Sequence, residues 1–268
     1  MDQTSTFQWI GATIARRIRT IALLPFILFL LSGTAIFAQD AVPKEILQRT
    51  LFIKAEDEGG TAFQIDRNGK LYLVTARHVV AGLPTTGATI QVWQSDKWAD
   101  YKTIRTLFPA SDDVDIAVLE TDEKVSQPFQ IQIAGKTSGG PTFGQPVWFL
   151  GYPYGLGSRI KTAQGDYAEM PFIKRGTMSA IDASNPQAVV LYIDGFNNPG
   201  FSGGPILYWS FSDQNYKLLG VVKGYKEDTA KVLLNGKHVD TQLLVNSGIL
   251  IAYSITHAIE AIDADQKR

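Results

Sequence analysis

One serine lies in a glycine-rich turn that combines a nucleophile with an anion-binding backbone. Ser202 follows Gly200 and precedes Gly203 and Gly204 in the segment Asn198–Pro205. A serine hydroxyl is a weak nucleophile at neutral pH, so it needs a general base and a group that orients this base. The N–H groups of Gly200 and Ser202 are the expected donors of an oxyanion hole for a carbonyl oxygen under attack. The turn predicts acyl-transfer chemistry, although Ser-Gly-Gly also occurs in ordinary surface turns.

The candidate base is the histidine that directly follows an apolar strand. His78 ends the run Val74-Thr75-Ala76-Arg77-His78, and imidazole titrates near neutral pH, as a general base requires. His238 follows an Asn-Gly pair, which predicts a solvent-exposed hairpin turn, and His257 lies in a predicted C-terminal helix. A histidine that only caps the strand end is the alternative. We expect His78 to be the base.

The candidate orienting acid stands at the mouth of a predicted buried strand. Asp115 directly precedes the apolar run Ile116–Leu119, whereas Asp112 and Asp113 are separated from it. A carboxylate that enters the interior needs partners, and an imidazole N–H is a partner whose tautomer it also fixes. A solvated acidic turn is the competing interpretation. His78, Asp115 and Ser202 follow one of the known linear orders of a catalytic triad.

Composition limits the other classes of function. The 268 residues carry a formal net charge of -1, with 45% hydrophobic and 19% charged residues, as in an ordinary globular protein. This balance gives no reason to expect nucleic acid as a partner. The chain has no cysteine and three histidines, which excludes disulfides and a cysteine nucleophile. We expect no cofactor and no metal site.

The first 38 residues have the pattern of a secretory signal peptide. Arg16, Arg17 and Arg19 precede the apolar run Ile21–Leu31, and a small residue, Ala38, follows at the expected cleavage site. An uncleaved membrane anchor is the alternative, because the apolar segment approaches the length that spans a bilayer. We expect an exported protein, in the bacterial periplasm or outside the cell, that contacts the membrane only through an uncleaved segment.

The rest of the chain has the pattern of an all-β protein. Short runs rich in β-branched and aromatic residues alternate with turn residues, and Asn68-Gly69 is a strong hairpin signal between two of them. Only the tail at Thr256–Ile262 has the periodicity of a helix. The predicted strands are Leu51–Lys54, Thr61–Ile65, Leu71–Val74, Thr89–Trp93, Ile116–Leu119, Pro146–Leu150, Val189–Ile193, Pro205–Tyr208, Leu218–Val222 and Ile249–Tyr253.

These motifs resemble the trypsin/chymotrypsin-like serine peptidases, and most closely the protease domain of the bacterial HtrA/Deg branch. The histidine, aspartate and serine segments are similar to the corresponding motifs of that branch, and they occur in the same order. The resemblance also includes Gly151–Gly157, Gly176–Ile181 and the closing strand Ile249–Ser254. It therefore covers nearly all of the chain after residue 50. No segment for the PDZ module of this branch follows the predicted helix, so regulated oligomeric proteolysis is not carried over.

The resemblance implies a chymotrypsin-like fold of two six-stranded antiparallel β-barrels with a short C-terminal helix. The peptidase domain would span residues 39–268, with the first barrel at about 46–125 and the second at about 140–255. The triad would lie between the barrels. Polypeptide substrates would bind in extended form beside the strand Leu219–Tyr225, which includes Lys223 and Gly224, by main-chain hydrogen bonds. The oligomeric state is left open.

Two side chains bear on specificity. Phe196, six residues before Ser202, is expected to line the primary specificity pocket, which would disfavour basic substrate side chains; the alternative is a core position. Lys223 stands where relatives often have a small polar residue. Its ammonium would favour acidic substrate residues if it faces the cleft, and it would have no such effect if it points into solvent.

The sequence therefore predicts an exported serine endopeptidase that acts through an acyl-enzyme intermediate. A catalytically silent protein that binds extended peptides on the same fold is the alternative from another class. Hydrolysis of small esters is a third hypothesis, because the same triad serves acyl transfer in general.

Overall fold

A computed structural model describes residues 41–124, 132–135, 140–161, 163, 165 and 167–267. The predicted signal peptide, residues 1–38, lies outside the described residues. The compact unit that begins at Val42 contains the strands and helices described below.

The first half of this unit is an open antiparallel sheet of seven strands, in the order β5-β4-β1-β2-β3-β7-β6. Asn68 and Gly69, both with positive φ, form the turn between β2 and β3, as the sequence predicts. The strands are β1 (Thr50–Ala55), β2 (Glu58–Arg67), β3 (Lys70–Thr75), β4 (Thr89–Gln94), β5 (Lys97–Lys102), β6 (Arg105–Leu107) and β7 (Ala117–Lys124).

The second half is a closed ring of six antiparallel strands, β14-β9-β12-β13-β16-β15, which β14 and β15 complete by pairing with each other. The short strand β8 adds to β15 in parallel, and β10 and β11 form a separate hairpin. The strands are β8 (Gln132–Ile133), β9 (Pro146–Gly151), β10 (Ser158–Lys161), β11 (Tyr167–Met170), β12 (Phe172–Asp182), β13 (Val190–Asp194), β14 (Pro205–Ser210), β15 (Asn215–Leu234) and β16 (Lys237–Ser254).

Four short or terminal helical elements complete the unit. Helix α1 (Lys44–Gln48) precedes β1 and buries Ile46, and helix α2 (Thr256–Gln266) follows β16. Two 3-10 helices, Arg77–Val80 and Pro153–Gly155, follow β3 and β9. Two ion pairs, Arg67–Asp263 and Arg105–Asp265, connect helix α2 to the first sheet.

The core is continuous between the two sheets. One cluster of buried side chains takes Phe63 and Tyr72 from the first sheet, Trp148 and Leu207 from the ring, and Ile262 from α2. Two further clusters of buried side chains lie one within each half. The two halves are thereby packed against each other through a shared core.

The predicted fold class is confirmed, and the number of strands in the first half differs from the prediction. The all-β, two-barrel architecture and the C-terminal helix are present, but the first sheet has seven strands and is open. The predicted strands omitted β5 and β6, because the side chains of both are half-exposed or exposed throughout and their sequences lack an apolar alternation. In the part of the chain that the structure describes, no helix is both long and apolar enough to cross a membrane.

Candidate active site

His78 and Asp115 come from neighbouring loops of the first sheet and contact each other directly. His78 lies in the 3-10 helix after β3, and Asp115 lies just before β7, which pairs with β3. The Nδ1 atom of the His78 ring is 2.6 Å from Asp115 Oδ2, and the backbone N–H of His78 donates to Asp115 Oδ1 at 2.9 Å. The carboxylate therefore fixes both the position of the residue and its ring orientation. Nε2 is left as the atom that can take a proton.

The electrostatics of this pair favour an ionised aspartate. Burial raises the pKa of the Asp115 carboxyl, but the hydrogen bonds and charge of His78 outweigh burial, and the ammonium of Lys223 adds to their effect. The net pKa of Asp115 lies below its ordinary value. An anion at this place stabilises the imidazolium that forms when His78 accepts a proton.

The competing acids and histidines occupy other settings. Asp112 pairs with Arg77 at 2.9 Å, and its side chain is almost fully exposed, as a solvated turn predicts. His238 is exposed at the end of the β15–β16 hairpin. His257 is buried, and its Nε2 accepts the N–H of Val189 at 2.9 Å.

Ser202 lies in the loop between β13 and β14, on the second barrel. Its hydroxyl donates to the carbonyl of Lys223 at 3.1 Å. Among the described residues this is the one hydrogen bond of the hydroxyl, so the structure places no hydrogen bond between Ser202 and the His78 ring. Activation of Ser202 by His78 would require the hydroxyl to exchange the Lys223 carbonyl for the His78 ring.

The loop around Ser202 is held in place by hydrogen bonds to its carbonyl groups. The carbonyls of the seven consecutive residues from 196 to 202 each accept a hydrogen bond, at 2.7 to 3.2 Å. The donors are, in chain order, Lys174 Nζ, Asn246 Nδ2, the N–H of Phe201, the N–H of Tyr154, Thr61 Oγ1, the N–H of Gly204 and the N–H of Thr61. Donors from both halves of the protein thus fix the path of the loop.

The N–H groups of Gly200 and Ser202, on either side of Phe201, have no acceptor among the described residues; the same is true of the three N–H groups at the start of the loop, residues 196–198. Those of Gly200 and Ser202 are the two donors that the sequence predicts for an oxyanion hole. Gly200 has φ +100°, and a Cβ atom at this position would lie 2.2 Å from the carbonyl oxygen of Tyr152. Only glycine fits both the backbone angle and the space.

Of the three predicted substrate-binding residues, Phe196 begins the Ser202 loop, and Lys223 and Gly224 lie in β15. Phe196 is 55% exposed at the start of the loop. Lys223 contacts Ser202 through its carbonyl, and its ammonium is 5.8 Å from the centre of the Tyr253 ring. The residue is exposed, and its charge contributes to the low pKa of Asp115. No atom outside its chain neighbours would lie within 4 Å of a Cβ at Gly224. Their roles in binding stay predictions.

Substrate access to β15 follows from how this strand is paired. Pairing of β14 with β15 ends at Pro205 and Val221, and Gly203 and Gly204 continue the bonds to Val222. Beyond this point, Gly224 and Tyr225 pair with β16 on the other side and with no other described strand. The edge at residues 223–225 therefore offers main-chain groups beside Ser202 to which an extended chain can add.

Sequence reasoning missed three residues that hold the site. Thr61 bonds Gly200 and Ser202, and its hydroxyl also accepts the N–H of Tyr152 at 3.1 Å. Lys174 bonds the beginning of the loop, and Asn246 bonds its next residue. None belongs to a recognisable motif, because each acts through a contact between distant parts of the chain. Among the described residues, no group of three or more His, Asp or Glu side chains could hold a metal ion.

Comparison with known proteins gives a family match and a shared fold. The family described as trypsin-like peptidase domain matches residues 60–210, more than half of the chain. This range includes His78, Asp115 and Ser202. In a sequence comparison, no curated protein matches the chain.

Three solved structures are similar in fold. The serine endoprotease from Yersinia pestis has a TM-score of 0.53 at 19% identity, over 84% of this chain and 67% of that one. The HtrA-type protease AlgW, solved with a tripeptide, has a TM-score of 0.52 at 20% identity, over 82% of this chain and 60% of that one. Deg5 has a TM-score of 0.50 at 18% identity, over 81% of this chain and 88% of that one.

Proposed function

The chain belongs to the trypsin-like peptidase family, and from this premise we propose an exported serine endopeptidase that uses a Ser-His-Asp triad and an acyl-enzyme intermediate. The observation that carries the proposal is the loop whose carbonyls are all bonded while the N–H groups of Gly200 and Ser202 have no acceptor among the described residues. Preorganised donors at the position where negative charge develops contribute the largest part of catalysis in many enzymes.

In the proposed reaction, Ser202 Oγ attacks the carbonyl carbon of a peptide bond while His78 Nε2 takes its proton. The charge on the former carbonyl oxygen is stabilised by the N–H groups of Gly200 and Ser202. His78 then gives the proton to the leaving amine, and the acyl group stays on Ser202. Water, activated by His78, attacks the ester and releases the carboxylic acid product. Asp115 stays ionised throughout and stabilises the imidazolium, in keeping with its low pKa.

The substrate class proposed is an extended polypeptide that adds to β15 at residues 223–225. AlgW, a protein of similar fold, was solved with a tripeptide, which supports a peptide ligand for this architecture. Phe196, exposed at the beginning of the Ser202 loop, would line the pocket for the substrate side chain before the cleaved bond. An aromatic residue there offers no counter-ion to a basic substrate side chain.

Export is part of the proposal and depends on the first 38 residues. The arginines before Ile21–Leu31 and the small residue Ala38 support a signal peptide. The observation of a processed N-terminus near Gln39 on the secreted protein would test this point. An N-terminus at Met1 in the membrane fraction would favour the anchor instead.

The experiment that tests the catalytic proposal is covalent labelling with a fluorophosphonate probe, followed by digestion of an unbiased peptide library. Wild-type protein should be labelled at Ser202 and should cleave peptides, whereas Ser202→Ala should do neither. Labelling without any peptide cleavage would restrict the activity to esters. Absence of labelling in folded wild-type protein would contradict the proposal.

One observation favours a second candidate, a catalytically silent protein that binds peptides. The Ser202 hydroxyl is bonded to the Lys223 carbonyl and not to His78. If that bond persisted with a peptide present, the hydroxyl would not be activated. Equal peptide affinity in wild type and Ser202→Ala, with neither labelling nor turnover, would support this candidate.

A further inference from the structure

Lys174 places a positive charge on the loop that carries the oxyanion donors. It lies in β12, and its Nζ donates to the carbonyl of Phe196 at 2.7 Å and to Asn198 Oδ1 at 2.6 Å. The same ammonium is 5.7 Å from the ring centre of Phe196 and 5.4 Å from that of Phe201. Within the described residues, Lys174 forms no ion pair with a carboxylate. The ammonium therefore interacts with the loop and with two aromatic rings.

Partial burial disfavours the ammonium form of Lys174. Burial lowers the pKa of Lys174, because desolvation disfavours its charged form. Hydrogen bonds from a charged donor are about twice as strong as neutral ones, and the aromatic faces add attraction to the cation. The two short bonds and the two rings compensate for the partial burial, and they do so only while the loop keeps its present path.

One turn of the chain connects the Lys174–Asn198 contact to Gly200. The carbonyl of Asn198, whose side chain Lys174 holds, accepts the N–H of Phe201 at 3.2 Å. This bond closes the turn of residues 198–201 with Gly200 inside it. A displacement of Asn198 would therefore rotate the peptide groups on either side of Gly200.

We propose that Lys174 is a positioning residue for the oxyanion hole: its ammonium fastens residues 196–198 to β12 and so fixes the direction of the Gly200 N–H. The inference rests on the proposed function of the same site. The other anchors of the loop, from Asn246, Tyr154 and Thr61, are neutral, so Lys174 is the one charged donor among these loop contacts.

A competing role for Lys174 is selection of acidic substrate side chains, because Phe196 is expected in the specificity pocket. The two roles separate in kinetics. Positioning of the oxyanion donors changes the transition state, and hence kcat and the labelling rate, for every substrate alike. Selection changes the ratio of kcat/KM between substrates with acidic and neutral side chains.

The test uses the full chain with Lys174→Met, Lys174→Arg and a matched control, Lys161→Met, which removes an exposed lysine from β10. Three quantities are measured: the rate of fluorophosphonate labelling, and kcat and KM for two peptides that differ in an acidic or neutral side chain before the cleaved bond. Circular dichroism and thermal unfolding verify folding. Asn198→Ala, which removes one of the two acceptors, serves as a milder second variant.

We expect Lys174→Met to lower the labelling rate and kcat by about 10- to 100-fold, with KM within about twofold, because a misdirected donor loses transition-state stabilisation only. Lys174→Arg should restore part of the rate, Asn198→Ala should lower it less, and Lys161→Met should match wild type. Unchanged labelling in both Lys174→Met and Asn198→Ala, with wild type labelled, would overturn the inference alone. A loss confined to the acidic peptide would overturn it in favour of selection. Failure of wild type to label would overturn the proposed function itself.

Discussion

Thr61 and Ser202 join the two halves of the protein at the nucleophile, because the backbone N–H of Thr61 donates to the carbonyl of Ser202 over 2.8 Å. The hydroxyl of Thr61 donates to the carbonyl of Gly200 over 2.7 Å and accepts the N–H of Tyr152. One residue of the first sheet therefore holds both residues whose N–H groups are the proposed oxyanion donors. The geometry of the hole depends on the packing between the sheets, and not on the Ser202 loop alone.

Replacement of Thr61 by Val should lower both stability and activity. The Val side chain has nearly the same shape but leaves the Gly200 carbonyl, which is partly buried, and the Tyr152 N–H, which is buried, without their partner. We expect a loss of about 1–3 kcal/mol in the free energy of unfolding. We expect a fall of about 10-fold or more in kcat, because the Gly200 peptide can then rotate.

Thr61→Ser is the matched control, since it keeps the hydroxyl and removes only a methyl group. It should retain kcat within about threefold of wild type. Measurement of kcat, KM and urea unfolding for the pair separates the two effects. Equal kcat values for Thr61→Val and Thr61→Ser would show that the hydroxyl does not position the loop.

Replacement of Asp115 by Asn tests the orienting role of the carboxylate. An amide can keep the contact with His78, but it can donate a proton to the ring and so stabilise the wrong tautomer. A loss of roughly 10⁴-fold in kcat is expected, with little change in KM. Asp112→Asn removes an acid three residues away that pairs with Arg77 in solvent, and it should leave kcat within about twofold. Similar losses in both variants would indicate a structural effect of the acidic turn.

The sequence was sufficient to single out candidate residues whose motif and surroundings are local. Ser202, His78 and Asp115 each stand at the end of an apolar run or in a glycine-rich turn, so a short segment reveals both the residue and its setting. The Asn68-Gly69 hairpin and the C-terminal helix were predicted for the same reason. The role of Gly200 and Ser202 as oxyanion donors stays a prediction; the structure leaves both N–H groups without an acceptor among the described residues.

The sequence was not sufficient where a contact joins distant segments. Thr61 lies 139 residues before the Gly200 carbonyl that it bonds, and Lys174 looks like any other lysine in a strand of mixed character. The long extension of β15 and β16 was also missed. Its strands mix charged residues with exposed leucines, such as Leu233 and Leu244, and they have no buried face to impose an alternation.

Glu120 should make the stability of the protein sensitive to acid. Its side chain is 4% exposed and bonds Lys70 at 2.6 Å and Arg105 at 2.5 Å. Burial raises the pKa of Glu120, but these two cations outweigh it, and the net pKa lies below the ordinary value. A carboxyl whose pKa is lower in the folded state stabilises the fold above its unfolded pKa, about 4.3, and loses this contribution as the pH falls through the folded value.

Glu120→Gln should therefore lower the free energy of unfolding at pH 7 by about 1–3 kcal/mol, and the difference from wild type should shrink as the pH falls below about 4. Urea unfolding at a series of pH values measures it. Glu227→Gln, at an exposed position of β15, is the control and should follow the wild-type curve at every pH. A constant difference between Glu120→Gln and wild type from pH 7 to pH 3 would contradict the assignment.

Gly200→Ala should disable the oxyanion hole, because the added methyl group meets the carbonyl oxygen of Tyr152 and the φ of +100° disfavours any side chain. The turn must move, and the Gly200 N–H moves with it. Loss of one such donor lowers kcat by about 10²- to 10³-fold. Gly87→Ala is the matched control: Gly87 also has a positive φ, +68°, but nothing lies within 4 Å of the new methyl group. Both variants carry the strain of a positive φ, but only Gly200→Ala adds a steric clash, so it should lose more stability in thermal unfolding, and it alone should lose kcat and fluorophosphonate labelling. If Gly87→Ala lost kcat as severely, the effect would have to be assigned to backbone strain and not to the lost donor.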